Sequence, residues 1–218
     1  MTILRGIGLT GAAGTGKTTF ARAVQDEFLR DGQFCVILSF ATMLKIEVKK
    51  IFGLPDSILS PDFDKTTPLF FHGSYKDYCQ KNYGKVPRTI RELFQFHGTF
   101  RRQQNPNYWT IEAARTLSGF LVSNSHQFDE VCVIYDDVRY QNEIDHIRNN
   151  FLDGAAIYRL ERKTNNNKVP KHESETQELK IDAIFDLDAD TVNMLPVAVR
   201  CDALQADPVK RFVRAARS

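Results

Sequence analysis

Apolar residues fall along this chain in two alternating rhythms. Five short, mostly apolar runs suit buried strands: Ile3–Leu9, Phe34–Leu38, Val131–Tyr135, Ala155–Leu160 and Ile184–Leu187. Between them the apolar residues recur at helical spacing. Phe20, Ala21, Val24 and Phe28 follow the first run, and Gly32 marks a stop. Met43, Leu44, Ile46 and Val48 follow the second, ended by Gly53 and Pro55, and Ile144, Ile147 and Phe151 follow the third. Two mid-chain helices are also predicted. One carries Ile90, Leu93, Phe94 and His97 on a face, the other Ala113, Leu117, Phe120 and Leu121, with Asn105-Pro106-Asn107 as the turn. Strands alternating with helices predict a parallel sheet covered on both faces. Residues 54–87 break the rhythm, with Pro55, Pro61, Pro68 and Pro87 and the aromatics Phe63, Phe70, Phe71, Tyr75, Tyr78 and Tyr83. A structureless loop of that length is unusual, so short helices and a functional insertion are expected there. Residues 162–175 are polar and read as a mobile loop.

The junction between the first strand and the first helix carries the chemistry. Residues 11–18 read GAAGTGKT and fit the phosphate-loop pattern G-x-x-x-x-G-K-[ST] in the strand–loop–helix context it requires. Backbone N–H groups of Gly11, Ala13, Gly14, Thr15, Gly16, Lys17, Thr18 and Thr19 are expected to close around phosphate oxygens, helped by the positive helix end. Lys17 is expected to reach the β- and γ-phosphates of ATP, and the Thr18 hydroxyl to ligate Mg²⁺.

Composition narrows the class without naming a reaction. With 218 residues, 42% hydrophobic and 26% charged, the chain suits one domain with insertions. A formal net charge of +2 gives little support for a nucleic-acid polymer as partner. The basic run Lys210, Arg211, Arg214 and Arg217 reads as the solvated face of a last helix. Cys35, Cys79, Cys132 and Cys201 form no C-x-x-C pair, so a reducing compartment and no zinc site are expected. Neither a signal peptide nor a run of apolar residues long enough to span a membrane is evident, and the expected location is cytoplasmic.

The third strand ends in Asp136-Asp137, where the carboxyl ends of α/β strands line a ligand crevice. Asp137 is the expected metal or acceptor carboxylate; turn or cap roles for both aspartates stay open. Arg139 suits a phosphate or base contact, or a surface ion pair. Asn142 can cap a helix, and Glu143 can favour its positive end.

Four blocks follow the phosphate loop in order: SFATMLK (39–45), ELFQFHGTFRRQQNPNYW (92–109), DDVRYQNE (136–143) and KHESE (171–175). Together with the loop they resemble the bacteriophage deoxynucleoside monophosphate kinases over residues 5–175. The matching positions are Ser39, Phe40, Ala41, Leu44 and Lys45; Leu93, Gln95, Gly98, Thr99, Arg102 and Trp109; Asp137, Arg139, Asn142 and Glu143; and His172, Ser174 and Glu175. Phe100 departs from the pattern, standing where that family would carry an acidic residue, and the aromatic stretch 63–83 is unlike it.

The resemblance implies a three-layer αβα P-loop kinase with a central parallel sheet. Its core would be 1–52 and 128–218, its acceptor-binding helical insertion about 53–127, and its lid about 162–175. It implies transfer of the γ-phosphoryl group of ATP–Mg²⁺ to a (deoxy)nucleoside 5′-monophosphate, with Thr18 and Asp137 at the metal. Ser39, Phe40 and Lys45 would sit at the acceptor's site, with Arg88, Gln95, Thr99, Arg102 and Trp109 lining its pocket and Asp137, Arg139 and Glu143 nearby. Trp109 would stack on the base or pack in the core, and Gln95 would read a base edge or lie on a helix surface. Among the lid cations Arg159, Arg162, Lys163, Lys168 and Lys171, Arg162 is the expected catalytic one. His172 would touch phosphate or cap a helix. A homodimer stays open, as do two rival readings: another small-molecule P-loop kinase (dephospho-coenzyme A or phosphomevalonate type) and an ATP-hydrolysing switch.

Overall fold

The computed structural model describes residues 3–60, 62–124, 128–162, 178–187 and 195–203. Most of the expected lid therefore lies outside the described residues, including Lys163, Lys168, Lys171, His172, Ser174 and Glu175, and so does the basic run 210–217. The chain forms two compact units, Met1–Ser39 with Leu117–Ser218, and Phe40–Thr116.

The first unit is mixed α/β. Its strands β1 (Ile3–Thr10), β2 (Phe34–Leu38), β3 (Glu130–Tyr135), β4 (Ala155–Glu161) and β5 (Ala183–Asp186) form one sheet in the order β2-β3-β1-β4-β5, every pair parallel. Side-chain alternation along β1 shows how both faces are covered. Ile7 and Leu9 join a core with Phe20, Ala21, Val24 and Phe28 of α1 (Lys17–Arg30) and Val199 of α7 (Leu195–Ala203). Gly6 and Gly8 point the other way: a Cβ on Gly6 would stand 2.7 Å from the Phe151 ring, and one on Gly8 3.0 Å from Ile147, at and just beyond α6 (Gln141–Asn150). Here glycine makes room for a closely packed helix.

This order puts a crossover switch at β1 and β3. The chain leaves β1 through α1 on one face and leaves β3 through α6 on the other, so the carboxyl ends of these neighbouring strands open between diverging helices. That is where open α/β sheets bind ligands. The phosphate loop follows one strand and Asp136-Asp137 the other.

The second unit holds α2 (Phe40–Phe52), a 3₁₀ turn (Asp56–Leu59), α3 (Gly73–Tyr83), α4 (Ile90–Gln104) and the first half of α5 (Tyr108–Asn124). It takes in α2, which the sequence reading grouped with the sheet. Val48, Phe52, Ile58, Cys79, Ile90, Leu93 and Phe94 make its core, and Phe63, Phe71, Tyr78 and Tyr83 pack against them. Most of the aromatics that made 54–87 conspicuous are thus this unit's own packing, although Phe70 is exposed. The Thr89 hydroxyl caps α4 by accepting the Glu92 N–H at 3.2 Å, while Glu92 accepts the Arg88 N–H at 2.7 Å. Among the described residues no helix is long and apolar enough to cross a membrane.

Candidate active site

The loop after β1 bends through three glycines with positive φ, Gly11 at 137°, Gly14 at 79° and Gly16 at 91°. Gly11 has a second constraint, since a Cβ there would lie 2.3 Å from the Leu160 carbonyl oxygen on β4. Gly11→Ala is therefore expected to destabilise the protein by about 2–3 kcal/mol through backbone strain and steric clash. Urea denaturation checks this, and an unchanged midpoint would refute it.

Lys17 Nζ donates to the carbonyls of Gly11 and Ala12, both at 2.8 Å, and Thr15 Oγ1 donates to Ala12 at 3.0 Å. The loop is thereby held in a ring by its own side chains. Ala13, Gly14, Thr18 and Thr19 stay exposed along it. A Cβ on Gly16 would stand 3.6 Å from the Arg162 guanidinium, so this cation does lie beside the phosphate loop.

The Thr18 hydroxyl donates to Asp136 Oδ2 at 2.7 Å. The sequence points to Asp137 as the metal carboxylate, whereas the structure brings Asp136 to Thr18. The reason is strand alternation. The Asp136 N–H still bonds Leu38 O at 3.2 Å, continuing the β2–β3 ladder one residue past the strand. Asp136 therefore points to the face of Cys132 and Ile134, the face that packs under α1. Asp137 Oδ2 accepts the Ser39 hydroxyl at 2.8 Å.

Asp136 is 7% exposed, and its Oδ1 is buried with no hydrogen-bond partner among the described residues. Burial, then the neighbouring Asp137 charge, raise its carboxyl above the ordinary range, against the Thr18 bond and the Lys17 charge. A buried carboxylate with an orphan oxygen beside a phosphate-loop threonine fits Mg²⁺, which takes one or two carboxylates and completes its shell with phosphate and water.

Glu143 is buried at the turn into α6. It is 2% exposed and accepts the backbone N–H groups of Arg139 (2.7 Å) and Tyr140 (3.1 Å), closing the turn into α6. Its binding role gives way to a capping one, because two strong donors hold the carboxylate. Asn142 lies inside the first turn of α6, whose N-cap is Tyr140. Arg139 is half-buried on the turn that Glu143 fixes.

Among the acceptor candidates of the second unit, Arg88, Gln95 and Thr99 are exposed, and Lys45 and Arg102 are half-buried. Gln95, Thr99 and Arg102 share one flank of α4. Phe40 and Trp109 do not fit the acceptor reading. Phe40 is buried, and Trp109 is 2% exposed, with its ring against His97 and Tyr108 and its Nε1 3.5 Å from the Gly98 carbonyl. No ring face of Trp109 is left for a base, and core packing wins because a large aromatic gains most by full burial.

Sequence reasoning missed a polar network in this unit. Glu47 on α2 accepts from His97 Nε2 at 3.0 Å, Arg101 Nε at 2.6 Å and the Tyr108 hydroxyl at 2.8 Å. His97, fully buried, meets the Tyr83 hydroxyl through Nδ1 at 2.7 Å. Burial works to raise the Glu47 carboxyl, but hydrogen bonds from His97, Tyr108 and Arg101 outweigh it and bring it down to about 2. The only local signal was a histidine on an apolar helix face. Phe100, in the acidic position of the resembled pattern, packs on Tyr83 at 5.6 Å and His97 at 6.2 Å.

Compared with known proteins, the chain matches no family model and no curated protein.

Proposed function

We propose that this protein is a P-loop kinase that transfers the γ-phosphoryl group of ATP to a (deoxy)nucleoside 5′-monophosphate. The observation that carries the nucleotide half of the reading is the Thr18–Asp136 pair beside a closed phosphate loop, with a buried carboxylate oxygen left over. The acceptor half is supported by the ordered sequence blocks and by one flank of α4 on which Gln95 and Thr99 are exposed and Arg102 is half-buried.

Thr18 and Asp136 would hold Mg²⁺, and the ion, when bound, neutralises charge on the phosphates. The loop N–H groups and Lys17 bind and orient the triphosphate. Lys17 must leave the Gly11 and Ala12 carbonyls to do so, a swap of two neutral acceptors for charged ones. Arg162, beside Gly16, supplies a second positive charge at the loop. Arg139, Arg102 and Arg88 are the candidates that the resemblance offers for the acceptor's phosphate. Such a transfer needs positioning and charge neutralisation rather than a nucleophilic side chain.

The test is a diphosphate-formation assay with ATP–Mg²⁺ against all common dNMPs and NMPs, with Lys17→Ala as the blank. Lys17-dependent diphosphate is the expected product. ATP loss to ADP and phosphate with no phosphorylation of the monophosphate would refute the transfer and favour a hydrolysing switch.

A further inference from the structure

Ser39 directly follows β2, and alternation along the strand fixes its face. Cys35 belongs to the core under α1, and Ile37 packs against that core. Ser39 has the same parity and takes the same face. On the neighbouring strand, Cys35 is in register with Cys132 and Ile37 with Ile134. The Asp136 N–H bonds Leu38 O at 3.2 Å, so the ladder runs on and sets Ser39 opposite Asp136. The serine hydroxyl and the Asp136 carboxylate are therefore neighbours on adjacent strands, which lie about 4.8 Å apart. Thr18 meets the same carboxylate from α1. Ser39, Thr18, Asp136 and the phosphate loop all belong to one compact unit. The resemblance puts Ser39 at the acceptor. The strand register instead puts it beside a carboxylate whose Oδ1 is buried with no hydrogen-bond partner among the described residues.

The proton of the Ser39 hydroxyl is already taken, donated to Asp137 Oδ2 at 2.8 Å. A hydroxyl that gives its proton to a carboxylate keeps its oxygen lone pairs for another partner, and a hard cation binds through such a lone pair. Mg²⁺ holds oxygen ligands at about 2.0–2.1 Å, so adjacent ligands stand about 3 Å apart. Side chains on neighbouring strands can meet that spacing. We infer that Ser39 supplies a second hydroxyl ligand to the Mg²⁺ of the nucleotide site, beside Thr18 and Asp136, with Asp137 as the positioning residue that holds its proton. This assignment rests on the nucleotide half of the kinase reading alone. It gives the two aspartates separate roles. Asp136 faces the ion, and Asp137 orients one of the ion's ligands through a hydrogen bond, as acceptors behind metal ligands commonly do.

The experiment compares wild type, Ser39→Ala and Ser39→Cys. Calorimetric titration with ADP is run in EDTA and then with Mg²⁺, Mn²⁺ or Cd²⁺. The paramagnetic resonance signal of free Mn²⁺, lost on binding, gives a second measure, and thermal unfolding checks the fold. Ser39→Ala is expected to bind ADP in EDTA as wild type does, while its gain in affinity on adding Mg²⁺ or Mn²⁺ falls about tenfold. Ser39→Cys exchanges a hard ligand for a soft one, so its ratio of Cd²⁺-supported to Mg²⁺-supported binding should rise by about tenfold or more. Wild type, with the chain's own 4 cysteines, is the blank for that ratio. If Ser39→Ala does not fold, the near-isosteric cysteine carries the test. An unchanged metal gain in Ser39→Ala overturns the inference, as does an unchanged metal ratio in Ser39→Cys. Equal weakening with and without metal overturns it too, since that marks a structural role. A loss confined to KM for the monophosphate would return Ser39 to the acceptor. A wild type that binds no ADP in any of these media overturns the nucleotide reading and this inference with it. Metal-assisted ADP binding in wild type, with indifferent Ser39 variants, overturns this inference alone.

Discussion

Asp136→Asn is expected to lower phosphoryl transfer by about 10³-fold, to near the level of the Lys17→Ala blank, while the folded protein holds or gains stability. The two effects have opposite signs for one reason. Asp136 is buried, carries an oxygen without a partner among the described residues, and sits beside the like charge of Asp137. Its folded-state carboxyl is raised above the unfolded value, so at neutral pH the charge works against folding. Asparagine removes that charge and keeps an oxygen for the Thr18 hydroxyl, but it gives up the anionic ligand. Mg²⁺ titration of activity and urea denaturation of the same preparation check both halves. Full activity in Asp136→Asn, with the loss falling on Asp137→Asn instead, would return the metal to the neighbouring carboxylate. This trade of stability for a charged ligand is common at functional sites.

Glu47→Ala is expected to destabilise the helical unit by about 3–5 kcal/mol. Three donors converge on that carboxylate, and one of them, His97, is fully buried. Removing the acceptor strands all three, whereas Glu47→Gln keeps the shape and one acceptor oxygen while losing the charge and turning the other oxygen into a donor NH2. The pH dependence has a definite sign. The carboxyl is brought down from 4.5 to about 2 in the folded protein. A depressed carboxyl stabilises the fold fully above its unfolded value and loses that contribution as pH falls through the folded one. Wild type should therefore shed about 2 kcal/mol between pH 4.5 and about 2, allowing for solvent screening at a partly exposed site. Glu47→Gln should lack this component. Trp109 packs on His97 at 6.3 Å, so its fluorescence in urea titrations follows this unit. Wild-type stability in Glu47→Ala would show that the network contributes nothing net.

The sheet was legible because its information is local. Runs such as Val131–Tyr135 are apolar on both faces, and period-3.6 stretches such as Phe20 to Phe28 answer them in α1. The phosphate loop was legible for a similar reason: only glycine tolerates the positive φ at Gly11, Gly14 and Gly16, so the turn is written in residue type. The helix α7 had no such signature. Its nine residues carry a proline, two charged residues and a short apolar pattern, and it is held by packing on α1 and β1.

The site itself divides the same way. From sequence alone came the strand–loop–helix order, the glycine loop that carries Lys17 and Thr18, and an acidic pair at the end of β3. The tertiary structure set Asp136, not Asp137, against Thr18, because strand alternation past Tyr135 aims one carboxylate at α1 and a residue 118 positions away. It buried Trp109, turned Glu143 into a cap, and gathered Glu47 with His97 and Tyr108, partners 50 and 61 positions distant. Periodicity and steric limits act between near neighbours and can be read along the chain. Which carboxylate meets Thr18, and which ring stays exposed, depends on contacts that exist only after distant segments have packed.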